Sequence, residues 1–161
     1  MKDLIKDKKI VIIDIETSGL SCGEDGKDVA RILKVDATKV ENGKVGESFS
    51  TFVACGEYVP KYIKVLTGIS NNTLKGAPRI KAVLTQLKEF TCGYEVYARN
   101  SEFINKFLSY YGNKNNVTID LAKEKDYNEI SKFINQKELR EHLKTTIDLE
   151  PLALAKLLIK R

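Results

Sequence analysis

The sequence predicts an α/β domain: a mixed sheet, an antiparallel hairpin plus parallel strands, flanked by helices. Three observations predict it. The run Ile10-Val11-Ile12-Ile13 is continuously apolar and β-branched, as in a strand covered on both faces. Asn42-Gly43 separates two further extended runs, and that dipeptide is a strong tight-turn signal between antiparallel strands. After Pro60 the apolar spacing turns helical and then alternates with short extended runs.

Taken in order, residues 9–15 form the first expected strand and residues 31–40 the second. The Asn42-Gly43 turn leads into a third over 47–53. Ile80, Val83, Leu84, Leu87 and Phe90 fall on one helical face. Residues 94–98 read as a short strand. Residues 103–110 read as a helix carrying Phe103, Phe107 and Leu108, with Gly112 placed to end it. Residues 117–121 read as another short strand. The remainder is mostly helical and closes on 151–159, where Pro151 suits a first helical turn. No internal repeat, low-complexity stretch or linker divides the chain, so residues 1–161 are expected to form one domain.

Composition narrows the class. The 161 residues are 42% hydrophobic and 30% charged, which excludes a disordered or collagen-like chain. No apolar run reaches the roughly 18 residues of a membrane span, and the first ten residues alternate charges with single apolar residues, unlike a secretory signal. Cys22, Cys55 and Cys92 have no CxxC spacing, which argues against a disulfide framework or a zinc site. A reducing, cytoplasmic setting is expected. The net charge is +5. Residues 61–106 hold 8 Lys/Arg against 3 Asp/Glu, an excess equal to that whole charge, while residues 1–60 hold 9 against 11. A basic segment beside an acidic one fits a polyanionic ligand, and equally a surface of solvated lysines.

The end of the first strand carries the chemical signal. Asp14 and Glu16 are two apart, so in a strand they share a face. Paired carboxylates repel and lose hydration unless something positive holds them, and a hard divalent cation such as Mg²⁺ or Mn²⁺ at a phosphate-cleaving site suits them. Thr17-Ser18-Gly19 then bends the chain, with backbone N–H groups placed to meet a nucleotide. Two solvated acids at a strand end are the plain alternative.

The wider pattern resembles the DEDDh family of 3′→5′ exonucleases, which have a ribonuclease H-like fold and are typified by the epsilon subunit of bacterial DNA polymerase III. Asp14-Ile15-Glu16-Thr17-Ser18-Gly19-Leu20 is similar to the family's first motif, and Val40-Glu41-Asn42-Gly43-Lys44 to its "V-x-N-G-K" hairpin. Leu66-Thr67-Gly68-Ile69 is similar to its "L-T-G-I", and residues 98–108 to "A-H-N-A-x-F-D-x-x-F-L". Residues 119–122 and 152–158 resemble the last strand and the terminal helix, so the likeness spans nearly the whole chain. It implies two metal ions on four acids, with a histidine taking a proton from the attacking water. It also implies that Thr17, Ser18, Gly19, Leu20, Leu66, Gly68, Ile69, Arg99, Asn100 and Phe103 meet the terminal nucleotides. Core packing is the plain alternative for Leu66, Ile69 and Phe103.

The chain departs from that pattern where chemistry is concentrated. Asp14 and Glu16 supply the first two acids, but the third position is Ile104 and the histidine of "A-H-N" is Arg99. Glu102 and Asn105 lie about 200° and 100° round the helix from position 104, so neither is a simple substitute. The terminal helix places Glu150 at the fourth acid and Thr145 at the catalytic histidine. His142 lies three residues earlier, in a charged helical stretch. Asp148 competes with Glu150, but its five-back partner is Leu143, and Tyr127 is followed four residues on by Ser131. With Asp14, Glu16 and Glu150 as the catalytic and metal-binding acids, one Mg²⁺ or Mn²⁺ suits the site better than two. The resemblance thus implies a 3′→5′ exonuclease on single-stranded nucleic-acid 3′ ends, impaired in chemistry. The alternative is an inactive module that binds nucleic acid or a partner. Its implied partners are single-stranded nucleic acid and a polymerase or other replication or repair protein.

Overall fold

The apolar run at the start becomes β1 (Lys9–Thr17), the central strand of a four-stranded sheet in the computed structural model, which describes residues 7–122, 127–128 and 130–143. The strand order is β3-β2-β1-β4, with β2 at Ile32–Glu41, β3 at Lys44–Phe52 and β4 at Glu95–Ala98. β1 pairs with β2 and β2 with β3 antiparallel, while β1 pairs with β4 parallel. The expected mixed sheet is therefore present. Asn42 and Gly43 have φ of 52° and 77°, the left-handed pair that a two-residue hairpin turn requires.

β1 is buried on both faces because each face has its own cover. Val11, Ile13 and Ile15 enter a core with Val83, Leu84 and Leu87 of α2 (Ile80–Thr91) and Ile104, Phe107 and Leu108 of α3 (Ser101–Asn115). Ile10 and Ile12 point the other way, into a second cluster with Val40, Tyr97, Ile130, Ile134 and Leu139, the last on α4 (Gln136–Leu143). A third cluster, Leu33, Val59, Ile63, Ile69 and Leu74, lies under α1 (Lys61–Thr67). Leu33 reaches it because the β1–β2 register slips: Glu16 pairs with Lys34 but Thr17 with Ile32, so Leu33 is an extra residue in its strand.

Two local expectations are corrected. Gly112 does not end its helix: α3 continues to Asn115, and Asn116 at φ 55° closes it by donating its N–H to the Gly112 carbonyl. Gly112 serves a close approach instead, since a Cβ there would lie 2.3 Å from the Val117 carbonyl oxygen. Residues 117–121 are not a strand, although the Ala122 N–H reaches the Val96 carbonyl of β4 at 2.8 Å. The expected terminal helix over 151–159 lies outside the described residues. No helix among the described residues is long and apolar enough to cross a membrane.

Candidate functional site

The face of β1 that carries Ile10 and Ile12 continues through Asp14 and Glu16, and there its character changes from apolar to charged. The register sets each residue opposite a β2 partner: Ile10 with Val40, Ile12 with Thr38, Asp14 with Asp36, Glu16 with Lys34. In-register partners share a face. Four charged residues therefore share one end of the sheet, three of them acids.

Asp14 and Glu16 are each half-buried. One Asp14 carboxylate oxygen accepts from the Ile15 N–H at 2.9 Å. Asp36 is fully buried and its carboxylate lies 3.2 Å from the Lys34 ammonium. Lys34 also sits over the ring of Phe52, its β3 partner, 5.7 Å from the centroid. Sequence reasoning placed Lys34 and Asp36 on a strand but missed them as site residues. The signal that could have found them is the alternation Lys34-x-Asp36-x-Thr38-x-Val40, in phase with the face that bears Asp14 and Glu16.

A pocket opens beside Glu16, lined also by Lys34, Phe52, Thr67, Gly68, Ile69 and Thr73. Of the residues expected to meet nucleotides, Gly68 and Ile69 are thus brought to Glu16. Gly68 caps α1 in the left-handed conformation at φ 74° and donates its N–H to the Lys64 carbonyl at 2.9 Å. Ile69 is 3% exposed and packs into the third cluster, so it serves core and wall together. The Thr67 hydroxyl donates to the Ile63 carbonyl at 2.8 Å and accepts from the Ile69 N–H at 3.1 Å, which fixes the wall. Leu66, on the same turn of α1, does not line the pocket.

The turn after β1 is fastened from within. Thr17 is buried and donates its hydroxyl to the Gly19 carbonyl at 2.6 Å. Ser18 was expected to offer its N–H to a nucleotide, but that N–H donates to the Arg31 carbonyl at 2.8 Å, and the Ser18 hydroxyl accepts from the Arg31 N–H at 2.8 Å. Lys106 of α3 donates to the Leu20 carbonyl at 3.0 Å and pairs with Glu24 at 2.7 Å. That hydrogen bond, with those from the backbone N–H groups of Glu24 and Cys22, holds the Glu24 carboxyl down at about 2. Burial pushes the Tyr111 hydroxyl up to about 12, and it donates to the Ala30 carbonyl at 2.5 Å.

The other candidates lie on the β4–α3 corner. Ile13 pairs with Ala98 at the end of the parallel ladder, and Asp14 and Arg99 are the residues that follow them. Arg99 is exposed. Asn100 occupies the N-cap of α3 without a side-chain cap bond. Phe103 is half-buried against Phe107, 4.9 Å between centroids, beneath the Lys106 ammonium. Ile104 is 2% exposed inside the first core cluster, and Glu102 is exposed on α3. Glu150, Asp148 and Thr145 lie outside the described residues, as does the side chain of His142.

A sheet with this order, its central strand ending in two acids on one face, defines a ribonuclease H-like nuclease fold. The chain belongs to the exonuclease family: the family model described as Exonuclease (RNase_T) matches residues 11–150. It is 35% identical over 118 residues to DNA polymerase III subunit epsilon of Aquifex aeolicus, covering 71% of this chain and 56% of that one. It is 28% identical over 127 residues to the 3′-5′ exonuclease DinG of Bacillus subtilis, covering 79% of this chain and 13% of that one. The chain thus spans about half, or far less, of the length of these relatives. Among solved structures it is similar to the nuclease domain of 3′hExo, a DEDDh family member bound to rAMP. That match has a TM-score of 0.62 at 20% identity and covers 78% and 71% of the two chains. The Escherichia coli ExoI–ssDNA complex matches with a TM-score of 0.59 at 14% identity, covering 68% and 24%.

Members of such a family use divalent metal ions, and the donors present decide how many fit. Among the described residues no group of three His, Cys, Asp or Glu side chains is placed to hold a metal ion. Asp14 and Glu16 are hard oxygen donors suited to one Mg²⁺ or Mn²⁺. Position 104, where the resemblance sets a third acid, is a core isoleucine and offers no donor, and Lys34 lines the pocket beside Glu16.

Proposed function

We propose that this chain is a 3′→5′ exonuclease-type protein that acts on single-stranded nucleic-acid 3′ ends by metal-dependent phosphodiester hydrolysis, with its rate strongly reduced. The observation that carries the proposal is Asp14 and Glu16 side by side on one face of β1, with Glu16 opening onto the pocket formed by Gly68 and Ile69. The family match, the epsilon and DinG relatives and the ssDNA named for the ExoI structure support the substrate class.

Asp14 and Glu16, with Glu150 by its sequence position, would hold a single Mg²⁺ or Mn²⁺. Such an ion supplies polarisation of a phosphate oxygen and a more acidic bound water. The residues of the chain do the rest. Gly68 and Ile69 form a floor against which a terminal base can lie, while Asn100, Phe103 and the Thr17–Leu20 turn lie toward the next nucleotide. Arg99 supplies positive charge to the backbone of the strand. With a threonine, Thr145, at the sequence position that the resemblance assigns to the general base, proton removal from water would be unassisted, a loss of about 10²- to 10⁴-fold. A polymerase or another replication or repair protein is the partner that the epsilon relative suggests.

A second reading, an inactive module that binds single strands in the same groove, is favoured by one observation: Ile104 is built into the core instead of facing the acids. The polarity of digestion tests the first reading. Oligonucleotides labelled at the 3′ or 5′ end, single-stranded or duplex, are incubated with Mg²⁺ and then Mn²⁺. Mononucleotide release from 3′ single-stranded ends supports it, and internal cuts or 5′ release overturn it.

A further inference from the structure

Lys34 is the member of this site that an acids-plus-metal scheme leaves unexplained. It stands opposite Glu16 in the β1–β2 register and lines the same pocket. Its ammonium lies 3.2 Å from the carboxylate of fully buried Asp36, which itself stands opposite Asp14. Only 14% of the Lys34 side chain is exposed. A lysine swinging freely in water would be an ordinary surface charge. This one is tethered by Asp36 below it and by the Phe52 ring at its flank.

We propose that the Lys34 ammonium is the resident cation of the Asp14–Glu16–Asp36 face and takes the electrostatic place of a second divalent ion, so that the site holds one ion where the family scheme has two. The inference rests on reading Asp14 and Glu16 as metal-binding acids. Asp14, Glu16 and Asp36 less the Lys34 charge leave two negative charges on the sheet, three with Glu150, so one divalent ion offsets most of the charge whereas two would exceed it. A second ion would meet an excess of positive charge and the ammonium itself. Side chains paired across two strands lie about 5 Å apart, where a unit charge changes the affinity for a divalent ion by at least about tenfold.

Calorimetric Mn²⁺ titration of the full chain tests this, on wild type, Lys34→Gln, Asp36→Asn and Asp14→Asn. Wild type is expected to bind a single ion in an Asp14-dependent manner. Lys34→Gln is expected to bind Mn²⁺ at least about tenfold tighter or to gain a second ion. Asp36→Asn keeps the side-chain shape and is expected to weaken binding, an opposite shift that remains readable should Lys34→Gln fail to fold. Asp14-dependent Mn²⁺ binding whose affinity and stoichiometry neither substitution changes would overturn the role of Lys34 and leave the acid pair standing. Absence of Asp14-dependent binding in both wild type and Lys34→Gln would overturn the acid pair itself.

Discussion

Asp14 and Asp36 stand directly opposite each other across the β1–β2 ladder, two carboxylates in register on one face, with Lys34 ion-paired to the second. Like charges so placed repel. The arrangement persists because Lys34 supplies the missing cation from within the same strand.

Lys34→Met leaves the buried Asp36 carboxylate without its ammonium and is expected to cost about 3 kcal/mol. Lys34→Met combined with Asp36→Val is expected to recover most of that, since an apolar pair of similar volume removes the stranded charge. Urea midpoints of the three proteins check this. A single variant as stable as wild type would show that the pair contributes little.

Position 104 is a core position in this chain, so placing the family's third acid there is costly. Ile104→Asp would put a carboxylate among Phe107, Leu108 and the β1 side chains, at an expected cost of several kcal/mol. Ile104→Ala should cost about 2–5 kcal/mol through the cavity alone. Thermal melts report both. An Ile104→Asp protein that melts like wild type and binds Mn²⁺ more tightly would mean that this side chain can turn toward Asp14.

Much of the fold was legible because its signals are local. The β-branched run of β1, the Asn42-Gly43 turn and the helical spacing of Val83, Leu84 and Leu87 each lie within one element. Asp14 and Glu16 were legible for the same reason: spacing of two puts them on one face. Lys34 and Asp36 were not, since their meaning depends on the cross-strand register that sets Asp36 opposite Asp14 and Lys34 opposite Glu16. Gly112 was misread because a glycine near a helix end has two uses, and only the position of Val117 distinguishes them.

Gly112→Ala tests that second use. Its Cβ would meet the Val117 carbonyl oxygen at 2.3 Å, so the chain after α3 must move, at an expected cost of about 1–3 kcal/mol despite the better helix former. A more stable variant in urea would contradict this contact.

The Lys106–Glu24 pair makes a pH signature. The Glu24 carboxyl is held at about 2, against an ordinary value of 4.5, first by the hydrogen bond from Lys106. A depressed carboxyl pKa gives stability that is fully present above the unfolded value and is lost as pH falls toward the folded one. The difference in urea midpoint between wild type and Glu24→Gln should therefore be steady near neutrality and shrink between about pH 4.5 and pH 2. A difference that stays constant across that window would rule out the bond as its source.

The most direct test of the central claim is the rate of nucleotide release from a 3′-labelled single strand in Mn²⁺, compared between wild type and Asp14→Ala. Slow release by wild type that Asp14→Ala abolishes is the predicted result. Equal release by both proteins, or none from either, would contradict it.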